Sequence, residues 1–182
     1  AKFISNKKNS LPLKILGSEY LKPINYFEKR GSAQCKSSVI LAALNTPGKT
    51  TIVAKKSRNH TELLLKHLKL PIKVLSKKKH DLIEITGQRQ FKSFDYVIPG
   101  DMSSSAFFIV LTLLSKNSKL KIKNININPS RTGFIKIVNK MGAKVKFVNK
   151  RYNYGELIAD VCVASQRKFK AIKCPIELNS NA

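Results

Sequence analysis

The sequence contains an internal repeat with a period of about 70 residues. Shifted by 70, the apolar residues 39–41 (Val-Ile-Leu) overlay residues 109–111 (Ile-Val-Leu), and shifted by 73, residues 57–58 (Ser-Arg) overlay residues 130–131. Self-similarity at a fixed period indicates a fold built from copies of one supersecondary unit. Each copy predicts the order βαβαββ, which restricts the chain to an α+β architecture of tandem units.

The first copy combines β-branched segments, typical of strands, with longer apolar runs, typical of helices. Residues 45–48 (Asn-Thr-Pro-Gly) end the first helix, and Pro71 ends the second, for which Ser57 is the predicted N-cap. The lysines at 77–79 form the predicted tip of the last hairpin. The predicted strands are 24–29, 49–54, 72–75 and 82–86, and the predicted helices are 32–44 and 57–70.

The second copy begins after Gly87. Residues 11–16 fit the last strand of a preceding unit, and residues 170–176 fit the first strand of a following one. A single layer of strands with two helices needs neighbours to cover its apolar faces, so we expect an incomplete piece of a longer protein with exposed apolar edges. Within the second copy the predicted strands are 94–98, 119–127, 143–148 and 156–163, and the predicted helices are 103–115 and 130–141.

Polar residues cluster where the first predicted helix begins. Ser32, Ala33 and Gln34 directly precede the apolar run 39–44, so a hydroxyl, an amide and unpaired backbone N–H groups share one helix start. A helix N-terminus with such donors binds anions. The sequence therefore predicts an anion site at this corner.

The charge of the chain agrees with an anionic partner but does not identify it. Lys and Arg number 35 against 10 Asp and Glu, a formal net charge of +25, which attracts phosphate-bearing molecules. The lysines are spread over nearly every segment and only residues 77–79 form a run, which favours a solvated lysine-rich surface. No nucleic-acid-binding motif is evident. We therefore expect no nucleic-acid partner, and a basic module for RNA or other polyanions stays open as an alternative.

The three cysteines, at 35, 162 and 174, form no CxxC pair and are odd in number, which predicts reduced thiols, no metal site and a cytoplasmic protein. No apolar run approaches the roughly 18 residues of a membrane span, and the first ten residues lack the apolar core of a signal peptide. We expect no membrane partner.

Three stretches carry a resemblance to a known family. They are SAQCKSSVILAALNTPGKTTIVAKKSRNHTELLLKHL, VIPGDMSSSAFFIVLTLL and NININPSRTGFIKIVNKMGAKV. In order and nearly in spacing they resemble the family pattern SAQxKSxxLLAxL, [ST]RDHTE, GDxSSxAF and NPTRTG. This is the pattern of the 5-enolpyruvylshikimate-3-phosphate (EPSP) synthases, also called 3-phosphoshikimate 1-carboxyvinyltransferases, and the resemblance covers the central part of the family's length.

The resemblance implies the enolpyruvyl transferase fold, an inside-out α/β barrel of βαβαββ units in two lobes, of which this chain holds an incomplete set. Residues 1–98 would contain the end of one unit and a full unit of the shikimate 3-phosphate lobe. Residues 99–182 would contain a full unit and the start of the next one in the second lobe. The family moves the enolpyruvyl group of phosphoenolpyruvate to the 5-hydroxyl of shikimate 3-phosphate, without a cofactor and as a monomer.

Four residues match the family's substrate-binding positions. Ser32, Ala33 and Gln34 match its Ser-Ala-Gln, which binds the phosphate of shikimate 3-phosphate, with the Gln reaching both substrates. Arg58 matches the Arg of TRDHTE and would add a permanently charged clamp. Asn59 departs from the family's Asp, which places any ion pair of this motif in question.

The family's catalytic residues and its phosphoenolpyruvate-binding segments would lie outside this chain, so the resemblance implies no catalytic residue here and an inactive fragment. UDP-N-acetylglucosamine enolpyruvyl transferases share the architecture and the phosphoenolpyruvate chemistry. They lack this arrangement of motifs, and they remain the second alternative.

Overall fold

A computed structural model of the chain describes residues 2–5, 11–87, 90–175 and 178. Within these residues it has helices and strands in mixed order, together with one 3-10 turn at Pro129–Arg131. The strands are β1 (Lys2–Ser5), β2 (Leu13–Leu16), β3 (Asn25–Glu28), β4 (Lys49–Lys55), β5 (Ile72–Ser76), β6 (His80–Thr86), β7 (Lys119–Asn126), β8 (Lys146–Asn153) and β9 (Glu156–Ala164). The helices are α1 (Ala33–Leu44), α2 (His60–His67), α3 (Met102–Leu114) and α4 (Gly133–Lys140).

The first copy of the repeat folds in the predicted order β3, α1, β4, α2, β5, β6. Its sheet has the strand order β3-β4-β6-β5, with β3 parallel to β4 and the other neighbours antiparallel. Alternate residues of β4 and β6 face inward, which buries Ile52, Ile83 and Ile85 against Ile40 of α1. We call this cluster the first core. The predicted tip at 77–79 lies between β5 and β6, closed by a bond from Lys77 N to the His80 carbonyl.

The second copy has the order α3, β7, α4, β8, β9, and its sheet is antiparallel with the order β7-β9-β8. Ile109 of α3, Ile135 of α4 and Val161 of β9 are buried in a separate cluster, which we call the second core. The strand predicted at 94–98 is wrong. Pro99 lacks the N–H that a ladder needs, and only Gly100 pairs, in parallel, with Ile125 of β7.

The chain ends also depart from the prediction. The strand predicted at 11–16 is confirmed as β2, but it pairs antiparallel with β1, which the sequence analysis did not predict. Residues 170–175 form no strand in the described part of the chain, and the predicted end at Ile176 lies outside it. The helix predicted at 130–141 is divided, since Pro129–Arg131 form a 3-10 turn and α4 begins only at Gly133.

Large apolar side chains remain uncovered, as the sequence predicts for an incomplete set of units. On α3, Phe107 is 78% and Leu114 is 69% exposed, and Leu41 on α1 is 53% exposed. One face of each of these helices packs on its own sheet, and no layer of the described residues covers the exposed side chains on the other face. Within the described residues, no helix has the length and apolar character needed to span a membrane.

Candidate functional site

Helix α1 begins with a capped turn. The Ser32 side chain accepts a hydrogen bond from Cys35 N (3.2 Å), and the first helical bond runs from Lys36 N to the Ser32 carbonyl (3.1 Å). The N–H groups of Ala33 and Gln34 precede that bond and therefore have no partner within the helix. The predicted anion-binding donors thus lie together at one exposed helix start.

Helix α2 begins later than predicted. Its first helical bond runs from Leu63 N to the Asn59 carbonyl (3.0 Å), which makes Asn59 the N-cap residue in place of Ser57. The Ser57 hydroxyl is buried and has no hydrogen-bond partner among the residues that the structure describes. Arg58 therefore belongs to a short non-helical segment, and its backbone carbonyl accepts a bond from Lys36 Nζ (2.9 Å).

Side-chain contacts join the start of α1 to α2 and to the segment before it. Lys36 donates to the Arg58 carbonyl and forms an ion pair with Glu62, and the hydroxyls of Ser37 and Thr61 lie 2.7 Å apart. These contacts connect the start of α1 with the first turn of α2 and with the residue two positions before that helix. The two helix starts, separated by more than twenty residues in sequence, thereby form one corner of the first core.

A cavity of about 210 Å³ lies at this corner. Ala33, Gln34 and Arg58, three of the four predicted binding residues, line it, whereas Ser32 caps α1 and lies 3.5 Å from Gln34 Oε1 through its hydroxyl. None of the lining residues is acidic, and the Arg58 guanidinium is a permanent positive charge. The other lining residues, which the sequence analysis missed, are Ser37, His60 and Thr61; their polarity at two helix starts was the available signal.

A second group of polar residues joins α2 to the second core. His60 Nδ1 lies 2.5 Å from Glu156 Oε1, and Asn128 Nδ2 donates to Asn59 Oδ1 (2.8 Å) and to Glu156 Oε2 (3.3 Å). Gly155 lies so close to α2 that an added Cβ would be 3.0 Å from the Leu63 carbonyl oxygen. Asn59 thus joins this group through the acceptor oxygen of its side-chain amide.

A second cavity, of about 220 Å³, lies next to this joint and shares His60 with the first. On its rim, Asp101 caps α3 by accepting from Ser104 N (2.9 Å), and Arg131 donates to Asp101 and Ser103 (2.7 Å each). Burial raises the pKa of Asp101, but the bonds from Arg131 and Ser104 lower it more, to about 2. Within the described residues, no group of three potential metal ligands occurs.

Acid is expected to weaken the joint between α2 and β9. Burial raises the pKa of Glu156. The hydrogen bond and the electrostatic interaction with His60, together with hydrogen bonds from the amides of Asn126 and Asn128, lower that pKa more, so that it lies below the ordinary 4.5 of a glutamate. The ionised carboxylate therefore stabilises the folded chain above about pH 4.5, and this contribution is lost as the pH falls through the lowered value. Urea unfolding of the wild type and of Glu156→Gln between pH 6 and pH 3 measures it. We expect their difference in stability to shrink on acidification; a constant difference would contradict the assignment.

Comparisons with known proteins agree with the motifs. The model of the family described as EPSP synthase (3-phosphoshikimate 1-carboxyvinyltransferase) matches residues 2–174. The 3-phosphoshikimate 1-carboxyvinyltransferase of Caldicellulosiruptor bescii is 42% identical over 168 residues, which cover 92% of this chain and 38% of the relative. The enzyme of the same name from Petrotoga mobilis is 38% identical over 167 residues, covering 90% of this chain and 38% of the relative.

The fold is similar to that of solved structures. EPSP synthase from Acinetobacter baumannii matches with a TM-score of 0.80 and 32% sequence identity, over 98% of this chain and 40% of that one. The α+β architecture of repeated units is thereby confirmed. The chain spans about two fifths of the length of the relatives that it matches.

Proposed function

This chain belongs to the family of the EPSP synthases, or 3-phosphoshikimate 1-carboxyvinyltransferases, and we propose that its cavity at the starts of α1 and α2 binds the phosphate of shikimate 3-phosphate. The observation that carries the proposal is the meeting of Ala33, Gln34 and Arg58 at one cavity without an acidic residue. A phosphate dianion needs such donors and a positive charge to replace its water. Ser32 takes part by capping the helix whose N–H groups face the anion.

Each side chain has a distinct part in this binding. The Arg58 guanidinium offers two parallel N–H donors to the phosphate oxygens, a geometry that lysine cannot supply. The Gln34 amide donates through its nitrogen and accepts through its oxygen, so it can bind a phosphate oxygen and a ligand hydroxyl together. The neutral hydroxyls of Ser37 and Thr61 add polarity without charge.

The reaction of the whole protein is part of the same proposal. The 5-hydroxyl of shikimate 3-phosphate gives its proton to a base as its oxygen adds to the central carbon of phosphoenolpyruvate, and an acid delivers a proton to the methylene carbon, which becomes a methyl group. Loss of one methyl proton to a base and of inorganic phosphate from the tetrahedral intermediate then restores the enol double bond. This chain would hold one substrate, whereas the groups that move protons would lie in the rest of the protein.

The remaining expectations are proposals about the whole protein. We propose two lobes that meet after residue 98, with phosphoenolpyruvate as the second substrate, no cofactor, no nucleic-acid or membrane partner, and a monomer in the cytoplasm. The odd number of cysteines and the absence of a CxxC pair in the sequence support a reducing compartment.

Calorimetric titration of the 182-residue chain tests the proposal. We expect shikimate 3-phosphate to bind with 1:1 stoichiometry, UDP-N-acetylglucosamine not to bind, and no phosphate to be released when phosphoenolpyruvate is added. Binding of UDP-N-acetylglucosamine instead would favour the related transferase. RNA binding that falls steeply with salt, with no response to shikimate 3-phosphate, would favour the polyanion module and overturn the proposal.

A further inference from the structure

Lys36 is a fully buried lysine at the corner of the first core. Its side chain is 0% exposed, and its Nζ lies 2.6 Å from Glu62 Oε1, on a side chain that is 4% exposed. The same Nζ donates to the backbone carbonyl of Arg58 (2.9 Å). Lysine is almost never buried without partners, because removing its charge from water costs far more than its methylene groups gain.

The carboxylate of Glu62 is committed to this lysine. Within the described residues neither of its oxygens has a hydrogen-bond partner, and Lys36 is its ion-pair partner. Buried ion pairs contribute little net stability, and apolar residues of similar size often replace them at no loss. Stability therefore gives only a weak reason for a lysine and a glutamate at these two buried positions. The geometry of their contacts gives a stronger reason.

The contacts of Lys36 connect the start of α1 to two places at the start of α2. Lys36 lies in the first turn of α1, Glu62 lies in the first turn of α2, and the Arg58 carbonyl lies two residues before α2 begins. The three donors of a lysine ammonium can reach both oxygens at once. A methionine or leucine would fill the same space without holding the Arg58 backbone.

We propose that Lys36 and Glu62 form a buried positioning pair that holds the Arg58 segment over the start of α1, a proposal that rests on the shikimate 3-phosphate function above. Neither residue lines the cavity. Because the two charges of the pair cancel, the pair orients the Arg58 segment without changing the net charge of the site. The pair would act on the ligand through Arg58. Lys36 holds the backbone carbonyl of Arg58, and the position of that backbone sets the direction in which the Arg58 side chain extends.

The test replaces both charges in the complete 182-residue chain. Lys36→Met with Glu62→Leu leaves no unpaired buried charge, so the variant is expected to fold with a Tm close to that of the wild type. We expect its affinity for shikimate 3-phosphate to fall about tenfold, the effect of one weakened charged contact. The matched control is Lys49→Met with Glu84→Gln, which removes the exposed ion pair between β4 and β6 and should leave the affinity unchanged.

Two measurements on the ligand-free chain separate this proposal from the proposed function. Nuclear magnetic resonance reports amide exchange of Leu63, whose N–H bonds to the Asn59 carbonyl at the start of α2, and the order of the Arg58 side chain. In the double variant we expect faster exchange and a more mobile Arg58, while both stay unchanged in the control. Wild-type values in a folded double variant would overturn the positioning role, whether or not shikimate 3-phosphate binds. Failure of the wild type to bind it would overturn only the proposed function.

Discussion

Replacing Arg58 with alanine is expected to lower the affinity for shikimate 3-phosphate about 100-fold, equivalent to about 2.7 kcal/mol. Among the described residues that line the first cavity, only Arg58 carries a permanent positive charge. A dianionic phosphate held without its guanidinium loses two charged hydrogen bonds. Calorimetric titration at one fixed ionic strength measures the loss, because the affinity for an anion depends on salt.

The control for this variant is Arg167→Ala, which removes the same charge at an exposed position outside the cavity. We expect the control to bind as the wild type does. Arg58→Lys, which keeps the charge but not the two parallel donors, should bind between the wild type and Arg58→Ala. Equal losses in Arg58→Ala and Arg167→Ala would show that only net charge attracts the ligand, and the assignment of the cavity would fail.

Replacing Gly87 with alanine is expected to destabilise the first core by about 3 kcal/mol, the upper part of the range for overpacked sites. An added Cβ would lie 1.8 Å from the carbonyl oxygen of Thr46 and 2.6 Å from its carbonyl carbon. Neither backbone atom can move freely. Thr46 is held at the end of α1 by bonds to Ala42 and Ala43, and Gly87 N donates to the Gly48 carbonyl (3.0 Å).

Urea unfolding followed by circular dichroism measures this loss. Gly17→Ala is the matched control, since an added Cβ there meets no atom within 4 Å. We expect the control to stay within about 0.5 kcal/mol of the wild type, as surface substitutions usually do. A Gly87→Ala chain as stable as Gly17→Ala would mean that the junction between β6 and α1 adjusts without cost.

The parts of the fold that could be predicted are those with strong local signals. All six elements of the first copy were predicted, because Pro47 and Pro71 mark helix ends and β4 is a run of β-branched residues. The strand at 94–98 was predicted from its apolar residues, yet Val97 and Ile98 are 69% and 82% exposed. A strand needs a partner edge and a covered face, and neither requirement can be read from local sequence.

In the candidate site, too, features with a local sequence signal could be predicted and features that depend on tertiary packing could not. The donors at the start of α1 were predictable because capping chemistry is local. The bond between His60 and Glu156 joins residues 96 positions apart, and the pair of Lys36 with Glu62 depends on two helices packing together. Such contacts follow from the tertiary fold. Sequence motifs therefore indicate three of the residues that line the cavity, Ala33, Gln34 and Arg58, but not the contacts that hold them.

His60 belongs to both cavities and also to the joint between the two cores. A mutation at this position would therefore act on the proposed ligand contact and on the connection of the cores at once. Selection on one of these properties necessarily changes the other, so the two cannot diverge independently at His60. During evolution, a new ligand preference in the first cavity would require either a second substitution that restores the joint or a route that leaves His60 unchanged.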